Sequence, residues 1–228
     1  MASNYKLTYN VDMVFCIDAT GSMGGVIDMV KNNAIHLYSD VMNAMAAKGK
    51  TIDNLRVRIV AFRDYVADGN DAMLVTDFFS LPAQSADFEN CVKSIDAFGG
   101  GDDPEDGLEA LGYAIKSKWN PEGTKRRQVI VVWTDATTHE LGFGRSAANY
   151  PGKMAATFDE LTRWWGDVQN NGFIDQRAKR LLLFAPEGPY WSTISDTWDN
   201  VIHFPSEAGR GLDEFNYKQI IDCIGNSI

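Results

Sequence analysis

Five oxygen-bearing side chains fall in three short acidic stretches of this sequence, each at or beside the place where a strand should end. The first stretch is Asp18-Ala19-Thr20-Gly21-Ser22-Met23-Gly24, directly after the apolar run Val11 to Ile17. The second is Gly99-Gly100-Gly101-Asp102-Asp103, which opens onto a helical pattern. The third is Thr134-Asp135, after the most apolar run of the chain, Gln128 to Trp133. Together they offer Asp18, Thr20, Ser22, Asp102 and Asp135, with no thiolate and no imidazole. Such a set suits a hard divalent cation, Mg2+ or else Mn2+ or Ca2+, and does not suit zinc. In an extended turn residues 18, 20 and 22 point the same way, so one carboxylate and two hydroxyls can converge while Gly21 lets the backbone bend between them. Asp18 could instead simply cap the following helix; the Asp/Thr/Ser spacing favours the metal. That helix should begin near Gly24, and its positive end favours an anion bound on top of the ion.

These loops need a scaffold that brings distant segments to one edge. Val11 to Ile17, Arg56 to Phe62, Gln128 to Trp133, Leu181 to Ala185 and Val201 to Phe204 read as strands, with a short edge strand near Met73 to Phe78. Between them lie helical spacings: Val26 to Met45, stopped by Gly49; Phe88 to Ile95; a helix entered through Asp103 and Pro104 with Leu108, Leu111 and Ile115 on its apolar face; Met154 to Val168; and Ile220 to Ile224. Strands alternating with helices predict an α/β doubly wound fold, a mostly parallel central sheet with helices on both faces and one short antiparallel edge strand. In such sheets sites form outside the carboxyl ends of the strands. No repeat or linker interrupts the pattern, so residues 1–228 read as one domain.

Composition narrows the function. The net charge of −10 argues against nucleic acid as a partner. The three cysteines, Cys16, Cys91 and Cys223, form no metal or disulfide spacing. No signal peptide and no apolar run long enough to span a bilayer is read, so a cytoplasmic location is expected. Arg63, Asp64 and Tyr65 follow the second strand and should share the rim of the site, as partner contacts or, for Arg63, in a structural ion pair. His139 lies four residues past Asp135 on the same rim. Of the adjacent Trp164 and Trp165, one is expected in the core and the other exposed.

The pattern resembles the von Willebrand factor A (VWA) domain family, whose motif is an Asp-x-Ser/Thr-x-Ser loop after strand one, a later Thr or Asp loop, and an Asp after the fourth strand. Asp18, Thr20 and Ser22 match the first element and Asp135 the last. The chain departs in the middle, where many members have Thr and this sequence has Asp102. The resemblance implies a Rossmann-like VWA fold and a metal-ion-dependent adhesion site that docks a protein partner through an acidic side chain, without catalysis. Phe62-Arg63-Asp64-Tyr65 and Gly99 to Asp106 look most like intracellular members, including those linked to alpha-kinase modules, which implies a partner associated with kinases or phosphatases. Two alternatives stand beside this: a metal-dependent phosphohydrolase with Asp18 as nucleophile, which Thr20 disfavours because such enzymes carry a second Asp there, and a scaffold with a degenerate site.

Overall fold

The computed structural model describes residues 8–101, 104–212 and 215–228. Seven strands form one mixed sheet: β1 (Tyr9–Asp18), β2 (Asn54–Phe62), β3 (Met73–Val75), β4 (Phe79–Leu81), β5 (Lys125–Trp133), β6 (Lys179–Pro186) and β7 (Val201–Ser206). Their order is β3-β2-β1-β5-β6-β7, with β4 also paired to β2. The pairs β1–β2, β1–β5, β5–β6 and β6–β7 are parallel. β3 and β4 both run antiparallel to β2, Val60 opposite Val75 and Val57 opposite Phe79. They make up the expected edge strand, broken between Thr76 and Phe78, where the Thr76 carbonyl turns to accept from Arg58 Nε at 2.7 Å.

Side-chain alternation along β1 explains why helices are needed on both faces. Val11, Met13, Phe15 and Ile17 enter one core, with α1 (Gly24–Asn33), α2 (Leu37–Ala46), α3 (Ser85–Lys93) and α7 (Tyr217–Ser227) packed on it. Val14 and Cys16 enter the other, beneath α4 (Gly107–Ile115), α5 (Phe158–Trp165) and α6 (Pro189–Thr197). All ten residues of β1 are buried, as a central parallel strand must be.

Three local expectations change. The helical spacing from Val26 to Met45 is one amphipathic stripe but two α-helices, joined by a 3-10 turn at Ala34–His36. The helix expected from Pro104 begins at Gly107. Glu105 N–H donates to the Thr137 carbonyl (3.1 Å) and Asp106 N–H to the Arg63 carbonyl (3.2 Å), while the Glu105 carbonyl accepts from His139 N–H (2.9 Å). Those bonds hold residues 105 and 106 out of the helix and tie three loops together, so the first turn cannot form there. Asp103, expected as the N-cap, lies outside the described residues. Trp164 and Trp165 are both buried. Trp165 stacks on Trp198, and Trp164 is covered by the edge of Phe173 and by Lys116, whose Nζ stands 3.4 Å from the ring centre. The long aliphatic stem of a lysine can thus close a surface that periodicity alone leaves open.

Candidate metal centre

The chain leaves β1 on one side of the sheet to build β2, β3 and β4, then crosses to build β5 on the other. β1 and β5 are therefore neighbours at the point where strand order reverses, and their carboxyl ends diverge into opposite loops. Ile17 and Trp133 are in register. Asp18 closes β1, and Asp135 follows β5 by two residues.

The loop after β1 is held in shape by its own side chains. Asp18 Oδ1 accepts from Thr20 N–H at 2.9 Å and from Thr20 Oγ1 at 2.6 Å. Thr20 is extended, and a 3-10 turn at Gly21–Met23 leads into α1. Thr20 Oγ1 lies 3.5 Å from Ser22 Oγ, and Ser22 Oγ donates to Asp135 Oδ1 at 2.8 Å. A continuous row of oxygens thus runs from Asp18 through Thr20 and Ser22 to Asp135. Asp18 is fully buried, and Asp135 is 1% exposed. Beside them opens a cavity of about 290 Å³, lined among others by Thr20, Ser22, Gly100, Glu105 and Asp135.

Of the residues expected to bind metal, the structure brings Asp18, Thr20, Ser22 and Asp135 together. Asp102 lies outside the described residues. Among those described, no three His, Cys, Asp or Glu side chains gather as a metal cluster. The donor set is two carboxylates with hydroxyls. Burial pushes the Asp18 carboxyl up to about 6, against the pull of its hydrogen bonds from Thr134 and Thr20, and Asp135 pushes it further up. Among the described residues, no Lys or Arg forms a salt bridge with either carboxylate. Two buried carboxylates with no salt-bridge partner among the described residues are costly; a hard divalent ion fits the oxygens present and would offset that cost.

Thr134 is a member of the site that spacing did not single out. Its hydroxyl donates to Asp18 Oδ2 at 2.6 Å and accepts from Ala136 N–H at 3.0 Å, fixing the carboxylate from the β5 side. Its place beside Asp135 was the available signal. Gly209 and Gly211 were not legible in advance. Gly211 N–H donates to Asp135 Oδ2 at 2.7 Å and Gly209 N–H to the Asp135 carbonyl at 2.8 Å, across more than seventy residues of sequence.

Arg63, Asp64, Tyr65 and His139, expected on a partner-facing rim, are all buried. Arg63 is a strut. Nε donates to the carbonyls of Ala19 (2.9 Å) and Phe98 (3.0 Å), and the two terminal nitrogens donate to those of Asp71 and Asp96 (2.6 Å each). Its guanidinium lies 3.9 Å over the Phe98 ring. It ties the loop after β1 to the segments before β3 and after α3. Arg63 bonds to carbonyls and forms no salt bridge among the described residues, so the structural ion pair entertained for it is replaced by a fork of main-chain contacts. Asp64 pairs with His139 Nε2 at 2.8 Å, and the imidazole stacks on Phe143 at 3.9 Å. The Tyr65 amide donates to Asp106 Oδ2 at 2.6 Å.

Behind the site sits a buried acidic layer of Glu105, Asp106 and Glu109. Burial first, and then the neighbouring carboxylates led by Asp18, push Glu105 up to about 9. Burial and Glu109 push Asp106 up to about 7. One oxygen of each of the three carboxyls has no hydrogen-bond partner among the described residues. Gly100 is required where this layer meets the loop. It has φ +74°, and a Cβ there would stand 2.5 Å from Glu105 Oε1 and 2.9 Å from Thr20 Cβ.

Comparison with known proteins agrees with this architecture. An alpha-protein kinase of Dictyostelium discoideum, vwkA, is 28% identical over 142 residues, which is 62% of this chain and 21% of that protein. The chain thus spans about a fifth of that relative's length. Two structures of the pilus adhesin SpaC from Lactobacillus rhamnosus GG, one in an open conformation, superpose with a TM-score of 0.54. They cover 98% of this chain and 31% and 30% of theirs, at 9% and 10% identity, a likeness of fold alone. Residues 13–137, more than half of the sequence, match the model of the von Willebrand factor type A domain. The chain belongs to the von Willebrand factor type A domain family.

Proposed function

We propose that this protein holds a divalent cation, Mg2+ or else Mn2+ or Ca2+, on Asp18, Thr20, Ser22 and Asp135, with Asp102 as a fifth contributor, and uses it to dock an acidic side chain of a protein partner. Domains of this family are generally non-catalytic protein-interaction modules. The observation that carries the reading is the unbroken row of oxygens between two buried carboxylates of adjacent strands, opening onto a cavity. The neutral hydroxyls of Thr20 and Ser22 and the open cavity beside them leave a bound ion with unfilled coordination positions. A carboxylate from outside completes its shell, and the start of α1 adds a favourable field. The chemistry the ion supplies is this attraction alone. The protein's own groups fix geometry: Thr134 and Gly211 orient the two carboxylates from behind, and Arg63 fixes the loop that carries Thr20 and Ser22.

The partner class is a protein, with association to kinases or phosphatases as the finer proposal, since the Dictyostelium relative is named a kinase. No helix among the described residues is long and apolar enough to cross a membrane; a cytoplasmic setting is proposed with the rest. Immobilised protein should capture its partner in millimolar Mg2+, release it in EDTA, and fail to capture it as Asp18→Ala. A partner retained equally by the variant or in EDTA removes the metal from recognition.

A further inference from the structure

The opposite edge of the sheet carries a second, larger cavity, and its chemistry is the reverse of the first. Because β1, β5 and β6 are parallel, their amino ends lie together, far from Asp18 and Asp135. A cleft of about 930 Å³ opens there. Five cationic side chains line it: Lys50 beyond α2, Lys125, Arg126 and Arg127 at the start of β5, and Arg177 just before β6. Among the described residues Asp175 is the one acidic side chain lining it, and that carboxylate is already engaged by Arg126. On a chain of net charge −10 this local excess is not a by-product of composition.

Four of the five lack an acidic partner. Among the described residues Lys50, Lys125, Arg127 and Arg177 form no salt bridge. Arg127 Nη1 donates to the Arg126 carbonyl at 2.9 Å, which holds that guanidinium at the start of β5. Like charges lining one cleft repel each other, and a multivalent anion among them offsets that repulsion.

We infer that this cleft binds a compact ligand carrying clustered phosphate groups. A single carboxylate would leave most of the cations uncompensated. A long polyanion would have to cross a surface that is acidic overall, whereas a short cluster of phosphates stays within the basic cleft. Guanidinium forks and lysine ammonium groups are the standard receptors for such groups. The inference is independent of the metal site and stands or falls without it.

The test uses sodium tripolyphosphate as the probe, with the whole chain in EDTA so that no divalent ion bridges the phosphates to Asp18 or Asp135. Isothermal titration should show binding that weakens steeply as KCl is raised. The double variant Lys125→Glu/Arg177→Glu changes two exposed side chains and should fold as the parent does. Its affinity should fall by roughly tenfold or more, the scale of one lost charge-assisted contact. Lys218→Glu, on the first turn of α7, should bind as the parent does. Sedimentation with phosphatidylcholine vesicles, with and without a polyphosphorylated inositol lipid, identifies the source. Binding to the charged vesicles assigns a lipid headgroup, and tripolyphosphate binding without vesicle binding assigns a soluble ligand. Absence of tripolyphosphate binding by the parent, or equal binding by the double variant, overturns the inference.

Discussion

Replacing Arg63 by Met should cost this protein a large part of its stability, although Arg63 forms no salt bridge among the described residues. Three nitrogens of its guanidinium donate to four main-chain carbonyls, those of Ala19, Asp71, Asp96 and Phe98. A hydrogen bond from a charged donor contributes about 1.5–3 kcal/mol net, so three donor groups give a gross figure of roughly 5–9 kcal/mol. Two corrections reduce it. Burial disfavours the charged form and lowers the pKa of Arg63, part of which is recovered when the charge is removed. Water also reaches some of the freed carbonyls. A net loss of about 3–5 kcal/mol remains, comparable to breaking a buried charged pair. Against a typical total of about 5–15 kcal/mol, that is readily read as a fall in the urea midpoint. Arg63→Lys supplies the control, because it keeps the charge but a single ammonium cannot span four carbonyls set around a planar fork. It should recover less than half of the loss. A midpoint for Arg63→Met within about 1 kcal/mol of the parent would refute the strut, as would full rescue by lysine.

Three further outcomes follow from the same geometry. Thr134→Val removes the donor to Asp18 Oδ2 and the acceptor for Ala136 N–H, and should destabilise by about 2–3 kcal/mol in urea melts, while Thr134→Ser stays near the parent; a valine variant as stable as the serine one contradicts this. Gly100→Ala places a methyl group against Glu105 and Thr20 at a positive φ, and should cost about 2–3 kcal/mol while weakening Mn2+ binding by displacing Thr20; unchanged metal affinity would show that Thr20 does not contribute. Lys179 is fully buried, its Nζ donating to the Trp165 and Gly166 carbonyls, and burial lowers it from 10.5 to about 8. Between those values the unfolded chain holds a proton that the folded one has lost, so stability should rise with pH from about 8, by up to about 1.4 kcal/mol per unit. Urea midpoints at pH 7.5–9.5 should show this rise in the parent and not in Lys179→Met; parallel profiles would be evidence against it.

The parallel sheet was legible because β1 and β5 are apolar on both faces, which only a doubly covered strand tolerates. The convergence of Asp18, Thr20 and Ser22 was legible because their spacing is local. What spacing cannot encode is which main-chain groups a side chain finally meets. Arg63 reads as a surface cation at the end of a strand, and it becomes a strut only because three loops fold over it. Asp103 and Pro104 read as a helix start, yet the amides of Glu105 and Asp106 just after them are captured by Thr137 and Arg63, and both of those side chains are buried. Gly209 and Gly211 reach Asp135 through a connection with no local signature. The basic cleft was hidden for the same reason: Lys50, Lys125 and Arg177 are far apart in sequence and are neighbours only because three strand starts share an edge.

The central property of this site is whether Asp18 and Asp135 bind a divalent ion. Thermal unfolding of the parent, Asp18→Asn and Asp135→Asn with MnCl2 added to about a hundredfold excess over the dissociation constant measures this. A bound ion at that concentration contributes about 2.7 kcal/mol, or roughly 5–10 °C for a chain of this size. The parent should show that rise, reversed by EDTA, and neither variant should. No shift in the parent at millimolar Mn2+, or an equal shift in all three proteins, would contradict the assignment.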